Sequence, residues 1–307
     1  MGGFVPWNSQ PLHTWAELHA PGKFLQTDGY STHYIEKGQG EPVILVHGFF
    51  YDSYMWVRNI DALAEHFKVF AIDLWGSGYS SRMPAKHGYP LYADQLVKFM
   101  DAMGIDRASL VGQSMGGGVC IHFTAQNRHR VNKLILVSAK GLPGPLPAMG
   151  RIALLPKVGE SLMGLRCNLP RRMLLRSVWF HDKALVTDDY FENVTRFHKI
   201  CGTTDIGLQL MRDHASLGTL LEDIISLGRM RVPALLVWGR QDRAVPLELG
   251  QQMHAILRGS RLEVIERAGH CPQYEQCELF NQLALHFLLL GRPSGARVEG
   301  RRRRVLQ

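Results

Sequence analysis

The sequence has few cysteines, and their spacing predicts no disulfide framework. The five cysteines among 307 residues are an odd number, and no Cys-x-x-Cys pair occurs. This pattern is typical of reduced thiols, so we expect a cytoplasmic protein. The histidine and cysteine spacings match no zinc motif. Gly76-Ser-Gly78 lacks the rest of a dinucleotide-binding fingerprint. We therefore expect no metal and no organic cofactor.

The sequence also lacks the hydrophobic segments of membrane-spanning and exported proteins. No run of about 18 uncharged apolar residues is present, which excludes a predicted membrane-spanning helix. The N-terminal residues show neither the basic region nor the apolar core of a signal peptide. We expect no transmembrane segment.

Little net charge is present outside the C-terminal tail. The net charge is +8, from 35 basic and 27 acidic residues, and residues 292–307 hold six arginines against one glutamate. The rest of the chain is therefore close to neutral, which gives no support for nucleic-acid binding. The run Arg301–Arg304 could steer the protein to an anionic membrane or nucleic acid, but a block of like charges favours a disordered, solubilising tail.

Short apolar runs alternate with helical patterns along most of the chain, which predicts a parallel sheet with crossover helices. Continuous apolar runs predict buried strands, and two alternating segments around Asp28-Gly29 predict a hairpin. The predicted strands are 24–27, 33–36, 42–46, 69–73, 109–113, 133–138, 232–238 and 261–266. The predicted helices are 54–67, 92–103, the segment from 115 to about 128, 247–257 and 278–290.

The alternation breaks at Gly141, where a proline-rich stretch begins that can continue neither a helix nor a central strand. Residues from 148 to 226 are helix-like throughout, and the strand pattern resumes at Val232. We predict an inserted all-helical cap in an α/β core. The predicted division is an N-terminal arm (1–22), a core (23–140 and 228–291), a cap (141–227) and the tail (292–307).

One apolar strand pattern ends in Gly112-Gln113-Ser114-Met115-Gly116 and passes directly into a helical segment. Gly-x-Ser-x-Gly between a strand and a helix is the pattern of a nucleophile elbow, a strained turn that exposes a serine hydroxyl. A glycine-rich turn with a purely structural role has the same pattern, so the motif alone does not decide the function. Ser114 is the candidate nucleophile.

Two later residues fit the partners that a serine nucleophile needs. Asp242 follows the predicted strand 232–238, and His270 follows the predicted strand 261–266, each on a loop before a helix. In a parallel sheet these strand ends lie at the same edge as Ser114. An aspartate in such a loop is also a common turn or N-capping residue. The order Ser, Asp, His along the chain favours a catalytic triad.

His47 also follows a predicted strand, 42–46, and is a second candidate for the catalytic base. The residues after it indicate a structural role instead. The backbone N–H of Phe49 is placed to join that of Met115 in an oxyanion hole. We therefore predict that His47 supports this loop and is not the catalytic base. Ser138 stands at the end of the predicted strand, immediately after residues 133–137, where a rival to Asp242 would need a carboxylate.

Together these motifs resemble the α/β-hydrolase superfamily, in its esterase-like branch with a helical cap. The segments that carry the resemblance are listed in chain order: His47-Gly48-Phe49, Asp73-x-x-Gly76-x-Gly78-x-Ser80, Gly112-x-Ser114-x-Gly116, Gly239-x-x-Asp242-x-x-x-Pro246 and Gly269-His270. The resemblance implies an α/β-hydrolase fold, with a mostly parallel eight-stranded sheet flanked by helices. It also implies a triad of Ser114, Asp242 and His270, which needs no cofactor.

Among the relatives with such a cap, haloalkane dehalogenases and epoxide hydrolases use an aspartate nucleophile, which Ser114 argues against. Meta-cleavage-product hydrolases keep a serine and cleave a carbon–carbon bond. The segment Gly269-His270-x-x-Gln273-Tyr274-Glu275 resembles their C-terminal motif, although Cys271 replaces their usual tryptophan. The resemblance implies a carboxylester hydrolase. The alternatives are a carbon–carbon bond hydrolase, a perhydrolase or a non-catalytic binding protein.

Aromatic residues near the motifs predict an apolar substrate pocket. Phe50, Tyr51 and Trp75 are the candidates to line it, and they favour a small, uncharged, apolar ester. A group of cap arginines could bind an acidic substrate instead, but arginines at this spacing more often form a solvated helix face. These arginines are Arg166, Arg171, Arg172 and Arg176.

Overall fold

The protein is built around a single twisted sheet. The computed structural model describes residues 4–144, 151, 154–212 and 219–290. These residues form eight strands in the spatial order β1-β2-β4-β3-β5-β6-β7-β8. The strands are β1 (Lys23–Thr27), β2 (Tyr30–Lys37), β3 (Pro42–Val46), β4 (Lys68–Ile72), β5 (Ala108–Gln113), β6 (Val131–Val137), β7 (Ala234–Gly239) and β8 (Arg261–Ile265).

The sheet is mostly parallel, as predicted. Strands β3 to β8 pair in parallel, and β1 and β2 form an antiparallel hairpin at one edge, with β2 antiparallel to β4. Every residue of β5 and β7 is buried. This burial explains why these strands are continuous apolar runs, because helices cover both faces of a parallel sheet. The predicted fold class is confirmed.

Helices pack on both faces of the sheet and create two apolar core layers. On one face lie α3 (Tyr89–Ala102), α4 (Met115–Gln126), α9 (Leu221–Met230) and α10 (Leu247–Ile256). On the other lie α2 (Ile60–Ala64) and α12 (Cys277–Leu289), which follows the short α11 (Pro272–Glu275). Among the described residues, none of these helices combines the length and hydrophobicity needed to cross a bilayer.

The predicted helix over residues 54–67 is wrong in part. The structure has a 3₁₀ turn at Ser53–Trp56 and then the short α2, with Asn59 between them. The buried side-chain amide of Asn59 donates to the carbonyl of Gln273 at 2.9 Å and to the side chain of Asn281 at 2.8 Å. These tertiary bonds fix Asn59 in a non-helical conformation, and the local sequence pattern does not reveal them.

The segment between β6 and β7 contains only helices and turns in its described residues. It includes α5 (Val158–Met163), α6 (Leu169–Leu174), a π-helical turn (Leu175–Trp179), α7 (Asp188–Thr195) and α8 (Thr203–Arg212). We call this segment the helical insertion. Residues 145–150 of its proline-rich start, and the tail 292–307 with Arg301–Arg304, lie outside the described residues.

The N-terminal segment packs against the helical insertion. It contains α1 (Leu12–His19), a helix that the sequence pattern did not predict. The N–H of Asn8 donates to the carbonyl of His198 at 3.0 Å, and Gln10 forms an isolated parallel bridge with Ile200. The side chain of Trp7 is buried there.

Candidate active site

Ser114 lies in a sharp turn between β5 and α4. Its backbone has φ 51° and ψ −116°, a conformation that is unfavourable for a residue with a Cβ. Its N–H donates to the carbonyl of Val137 at 2.9 Å, and its own carbonyl accepts from Gly118 and Lys140. These bonds hold the strained residue at the carboxyl end of β5, which is the geometry expected of a nucleophile elbow.

The two motif glycines are required by close backbone contacts. A Cβ on Gly112 would lie 2.4 Å from the carbonyl oxygen of Gly116, and one on Gly116 would lie 2.3 Å from that of Val46. Both distances are far below van der Waals contact, and backbone atoms cannot move aside easily. The elbow is therefore packed too tightly for any side chain at either position.

His270 and Asp242 form a buried hydrogen-bonded pair. The Nδ1 of His270 lies 2.9 Å from Oδ2 and 3.1 Å from Oδ1 of the Asp242 carboxylate. Because a carboxylate only accepts, Nδ1–H donates and Nε2 is left as the basic nitrogen. Oδ1 of Asp242 also accepts from the N–H groups of Ala244 and Val245, both at 2.9 Å. These bonds fix the orientation of the carboxylate.

The two backbone N–H groups that the sequence predicts for an oxyanion hole belong to Met115 and Phe49. Met115 is the first residue of α4, where N–H groups have no partner inside the helix. Phe49 lies in the loop after β3, next to Phe50, whose φ is 55°. Among the residues that the structure describes, neither N–H donates to another protein group. Phe49 and Met115 both line the cavity that contains Ser114.

His47 is engaged through both ring nitrogens and is fully buried. Its Nδ1 donates to the carbonyl of Gly48 at 2.8 Å, and its Nε2 accepts from the N–H of Leu74 at 2.9 Å. Burial lowers the pKa of His47 below its usual value, so the ring is neutral. The ring thus links the loop after β3 to the loop after β4, and this contact agrees with the prediction that His47 supports the loop of Phe49.

Asp73 also stabilises the loops after β3 and β4, through hydrogen bonds of its buried carboxylate. Its carboxylate accepts from the backbone N–H groups of Ser53 (2.7 Å) and Tyr79 (2.8 Å) and pairs with His33 at 2.7 Å. Burial alone would raise the pKa of Asp73, but the pairing with His33 lowers it to about 2. The Asp73 motif therefore has a structural role, which is to fix the loops that carry Phe49.

Ser114 and His270 line one cavity of about 210 Å³ between the sheet edge and the helical insertion. Phe50 and Tyr51 also line it, in agreement with the sequence interpretation. Trp75 does not belong to the lining. Its ring is buried against Tyr30, with the ring centroids 5.6 Å apart. Its backbone N–H donates to the side-chain oxygen of Gln95, on α3, at 2.8 Å.

Comparison with known proteins identifies the family of this chain. Residues 41–166 match the family model for the alpha/beta hydrolase fold. The 2-hydroxy-6-oxo-6-phenylhexa-2,4-dienoate hydrolase of Burkholderia cepacia is 30% identical over 272 residues, which is 85% of this chain and 92% of that protein. The chain belongs to the α/β-hydrolase family. A 2-hydroxy-6-oxononadienedioate/2-hydroxy-6-oxononatrienedioate hydrolase of Burkholderia vietnamiensis is 31% identical over 268 residues, 83% of this chain and 90% of that one.

Solved structures of other α/β-hydrolases superpose over most of this one. A meta-cleavage product hydrolase from Pseudomonas fluorescens, complexed with acetates, has a TM-score of 0.73 and 27% identity, covering 87% of this chain and 97% of that one. A malate-bound esterase from Thermogutta terrifontis has a TM-score of 0.73 at 24% identity, covering 87% and 98%. The second likeness shows the shared fold alone.

Sequence reasoning missed three residues that position His270 in this α/β-hydrolase. Gln113, next to Ser114, donates through its side-chain amide to the carbonyl of His270 at 2.8 Å. The N–H of His270 donates to the carbonyl of Trp179, in the helical insertion, at 2.8 Å. Glu275 fixes the same loop through its carboxylate. Of the three, only Glu275 could have been found from the sequence, because it belongs to the motif that begins at Gly269.

Glu275 is a buried carboxylate that joins the His270 loop to the helical insertion. Oε1 accepts from the N–H of Gly269 at 2.6 Å, and Oε2 accepts from His181 and Asp182 at 2.7 and 3.1 Å. Burial raises the pKa of Glu275, and the three N–H donors oppose this shift. Both oxygens are therefore needed as acceptors.

We expect Glu275→Gln to lower both stability and activity. The amide places an NH₂ group against at least one backbone N–H donor, leaving a buried donor unsatisfied. The free energy of unfolding should fall by about 1–3 kcal/mol, and kcat should fall with the displacement of His270. Chemical denaturation and steady-state kinetics measure the two effects. Glu278→Gln, at an exposed position of α12, is the control, and equal behaviour of the two variants would contradict the prediction.

Proposed function

We propose that this α/β-hydrolase is a serine esterase that cleaves carboxylic esters through an acyl-enzyme. The observation that carries the proposal is the His270–Asp242 pair. Nδ1 of His270 is bound to Asp242, which leaves Nε2 as the nitrogen that can act as the base in the cavity that Ser114 also lines. A serine hydroxyl is a weak nucleophile until such a base takes its proton.

The steps follow from the roles that these groups can take. Nε2 of His270 accepts the Ser114 proton as Oγ attacks the ester carbonyl, and Asp242 stabilises the imidazolium that forms. The N–H groups of Phe49 and Met115 bind the oxyanion of the tetrahedral intermediate. The alcohol leaves with the proton from His270. Water then hydrolyses the acyl-enzyme by the same steps, which regenerates the serine.

We further propose that the helical insertion is a cap that covers the site. Trp179 contributes both its carbonyl to His270 and its side chain to the cavity wall. Exclusion of water by such a cover strengthens the electrostatic interactions inside the site. The remaining division into an N-terminal arm, a core and a tail stays a prediction.

Carbon–carbon bond hydrolysis is the second candidate, because two relatives at 30–31% identity are named as hydrolases of a 2-hydroxy-6-oxo dienoate and of a 2-hydroxy-6-oxo dienedioate or trienedioate. The same triad can serve both reactions, but they differ in the leaving group. An ester releases an alkoxide that His270 protonates on oxygen. Carbon–carbon cleavage releases a carbanion equivalent, which must be stabilised by conjugation and protonated on carbon.

Parallel assays separate the two candidates. The purified protein is given p-nitrophenyl butyrate and, separately, 2-hydroxy-6-oxo-6-phenylhexa-2,4-dienoate, and both reactions are followed by absorbance. We expect the higher kcat/KM with the ester. A kcat/KM for the dienoate far above that for the ester would replace the proposed reaction with carbon–carbon hydrolysis. Turnover of neither compound would contradict a hydrolytic site for these classes.

A further inference from the structure

The cavity wall contains a buried guanidinium whose charge is not neutralised. Arg171, on α6, is only 4% exposed and lines the same cavity as Ser114 and His270. Its Nη2 donates to the carbonyl of Met163 at 2.9 Å, and the guanidinium lies 4.0 Å from the centre of the Trp7 ring. Within the described part of the chain, Nε and Nη1 have neither a hydrogen-bond partner nor contact with solvent.

The surroundings of Arg171 supply no counter-ion. Burial lowers its pKa to about 10, so the guanidinium is still charged at neutral pH. The described residues that line the cavity include no aspartate or glutamate, while Lys140 adds a second basic side chain. The acidic residues of nearby helices pair elsewhere: Asp188 pairs with Arg172, and Glu160 with Arg212. A buried charge without a partner is costly, so proteins normally pair it.

His198, beside Arg171 in the cavity wall, does not change the net charge of the wall. It is 5% exposed, and its Nε2 lies 3.2 Å from the carbonyl oxygen of Phe50, to which it donates. Burial, together with the charge of Arg171, lowers the pKa of His198 well below its usual value. The ring is therefore neutral, and its Nδ1 is an acceptor without a protein partner among the described residues. Anion binding in this cavity depends on Arg171 and Lys140.

We propose that the substrate carries a carboxylate in addition to the ester, and that Arg171 binds this carboxylate. The inference rests on the proposed function, and it narrows the substrate class from uncharged apolar esters to hemiesters of dicarboxylic acids. The aromatic and aliphatic wall of the cavity suits the carbon chain between the two groups. Nε and Nη1 lie beneath the cavity surface, so this binding requires the guanidinium to turn toward the cavity. A carboxylate supplies the acceptor that the protein lacks.

Direct binding to the Ser114→Ala protein tests the proposal without requiring turnover. The probes are monomethyl succinate, glutarate and adipate, each compared with its primary amide, which has the same shape and no charge. Calorimetry measures each Kd. We expect at least one hemiester to bind about 10- to 100-fold more tightly than its amide, the range for hydrogen bonds to charged groups. Equal binding of every acid and its amide would overturn the proposal.

Variants in the same background identify the residue responsible. Arg171→Met should remove the preference for the acid, and Arg171→Lys, which keeps the charge, should retain part of it and remains informative if the methionine variant does not fold. Arg172→Met is the matched control, because it removes a neighbouring cation already paired with Asp188, and it should leave the preference unchanged. A preference that persists in Arg171→Met would overturn the assignment.

The proposal and the proposed function can fail separately. If the Ser114→Ala protein prefers the acid but the wild-type protein does not release methanol from the same hemiester, the carboxylate site stands and the ester reaction is wrong. If the wild-type protein hydrolyses neutral esters through Ser114 but shows no preference for the acid, the esterase stands and the role of Arg171 is wrong.

Discussion

Replacement of Ser114 by alanine is expected to lower kcat/KM for ester hydrolysis by at least about 10⁴-fold. The variant lacks the nucleophile, so His270 has no proton to accept and no acyl-enzyme can form. The strained turn should survive, since the backbone bonds of residue 114 to Val137 and Gly118 do not involve its side chain. Steady-state kinetics with p-nitrophenyl butyrate measures the loss, and thermal unfolding reports the fold.

The control for this prediction is a second buried serine one strand away. Ser138 follows β6, has φ 45°, and its hydroxyl has no hydrogen-bond partner among the described residues. Ser138→Ala removes the same hydroxyl from a similar backbone outside the cavity lining. We expect its activity to stay within about threefold of wild type, since no catalytic bond is lost. An equal loss in both variants would assign the effect to folding, and full activity in Ser114→Ala would exclude this nucleophile.

The second large effect is expected from Asp242→Asn, with kcat reduced by about 10⁴-fold. The amide oxygen can keep the bonds from Ala244 and Val245 to Oδ1, so the loop should stay in place. The amide NH₂ then faces Nδ1 of His270, where a carboxylate oxygen lies at 2.9 Å in the wild-type protein. Since NH₂ only donates, it favours the tautomer with the proton on Nε2. This tautomer cannot accept the Ser114 proton.

An aspartate that pairs with another histidine provides the control. Oδ2 of Asp223 lies 2.7 Å from Nδ1 of His122, on the α4–α9 contact away from the cavity. Asp223→Asn changes the same kind of pair, and we expect near wild-type kcat from it. A fall in kcat for Asp242→Asn of less than about tenfold would contradict the role of Asp242 in holding the histidine tautomer.

The strand ends were the predictable part of the site. Ser114, Asp242 and His270 each follow a strand that the sequence predicts, and parallel strands bring such ends to one edge of a sheet. The structure places His270 and Asp242 in contact across 28 residues of sequence. The clashes of a Cβ at Gly112 and Gly116 likewise agree with the motif, because the close contacts are local to the turn.

Residues that act through distant contacts could not be predicted in this way. Glu275 bonds to His181 and Asp182, 94 and 93 residues earlier, and no local pattern indicates these contacts. Arg171 lies in a run of arginines whose spacing favours a solvated helix face, yet its contact with Trp7 buries it. Trp75 follows a strand end, but its side chain packs on Tyr30 outside the cavity. Tertiary contacts decide all three positions.

The most direct test of the central claim is to trap the activated serine as a phosphonate ester. The protein is treated with a fluorophosphonate, which reacts with activated serines, and intact-mass and peptide mass spectrometry locate the adduct. The account predicts one adduct per chain, on Ser114, absent from Ser114→Ala and formed far more slowly by Asp242→Asn. An adduct on another residue, or unchanged labelling of Ser114→Ala, would contradict it.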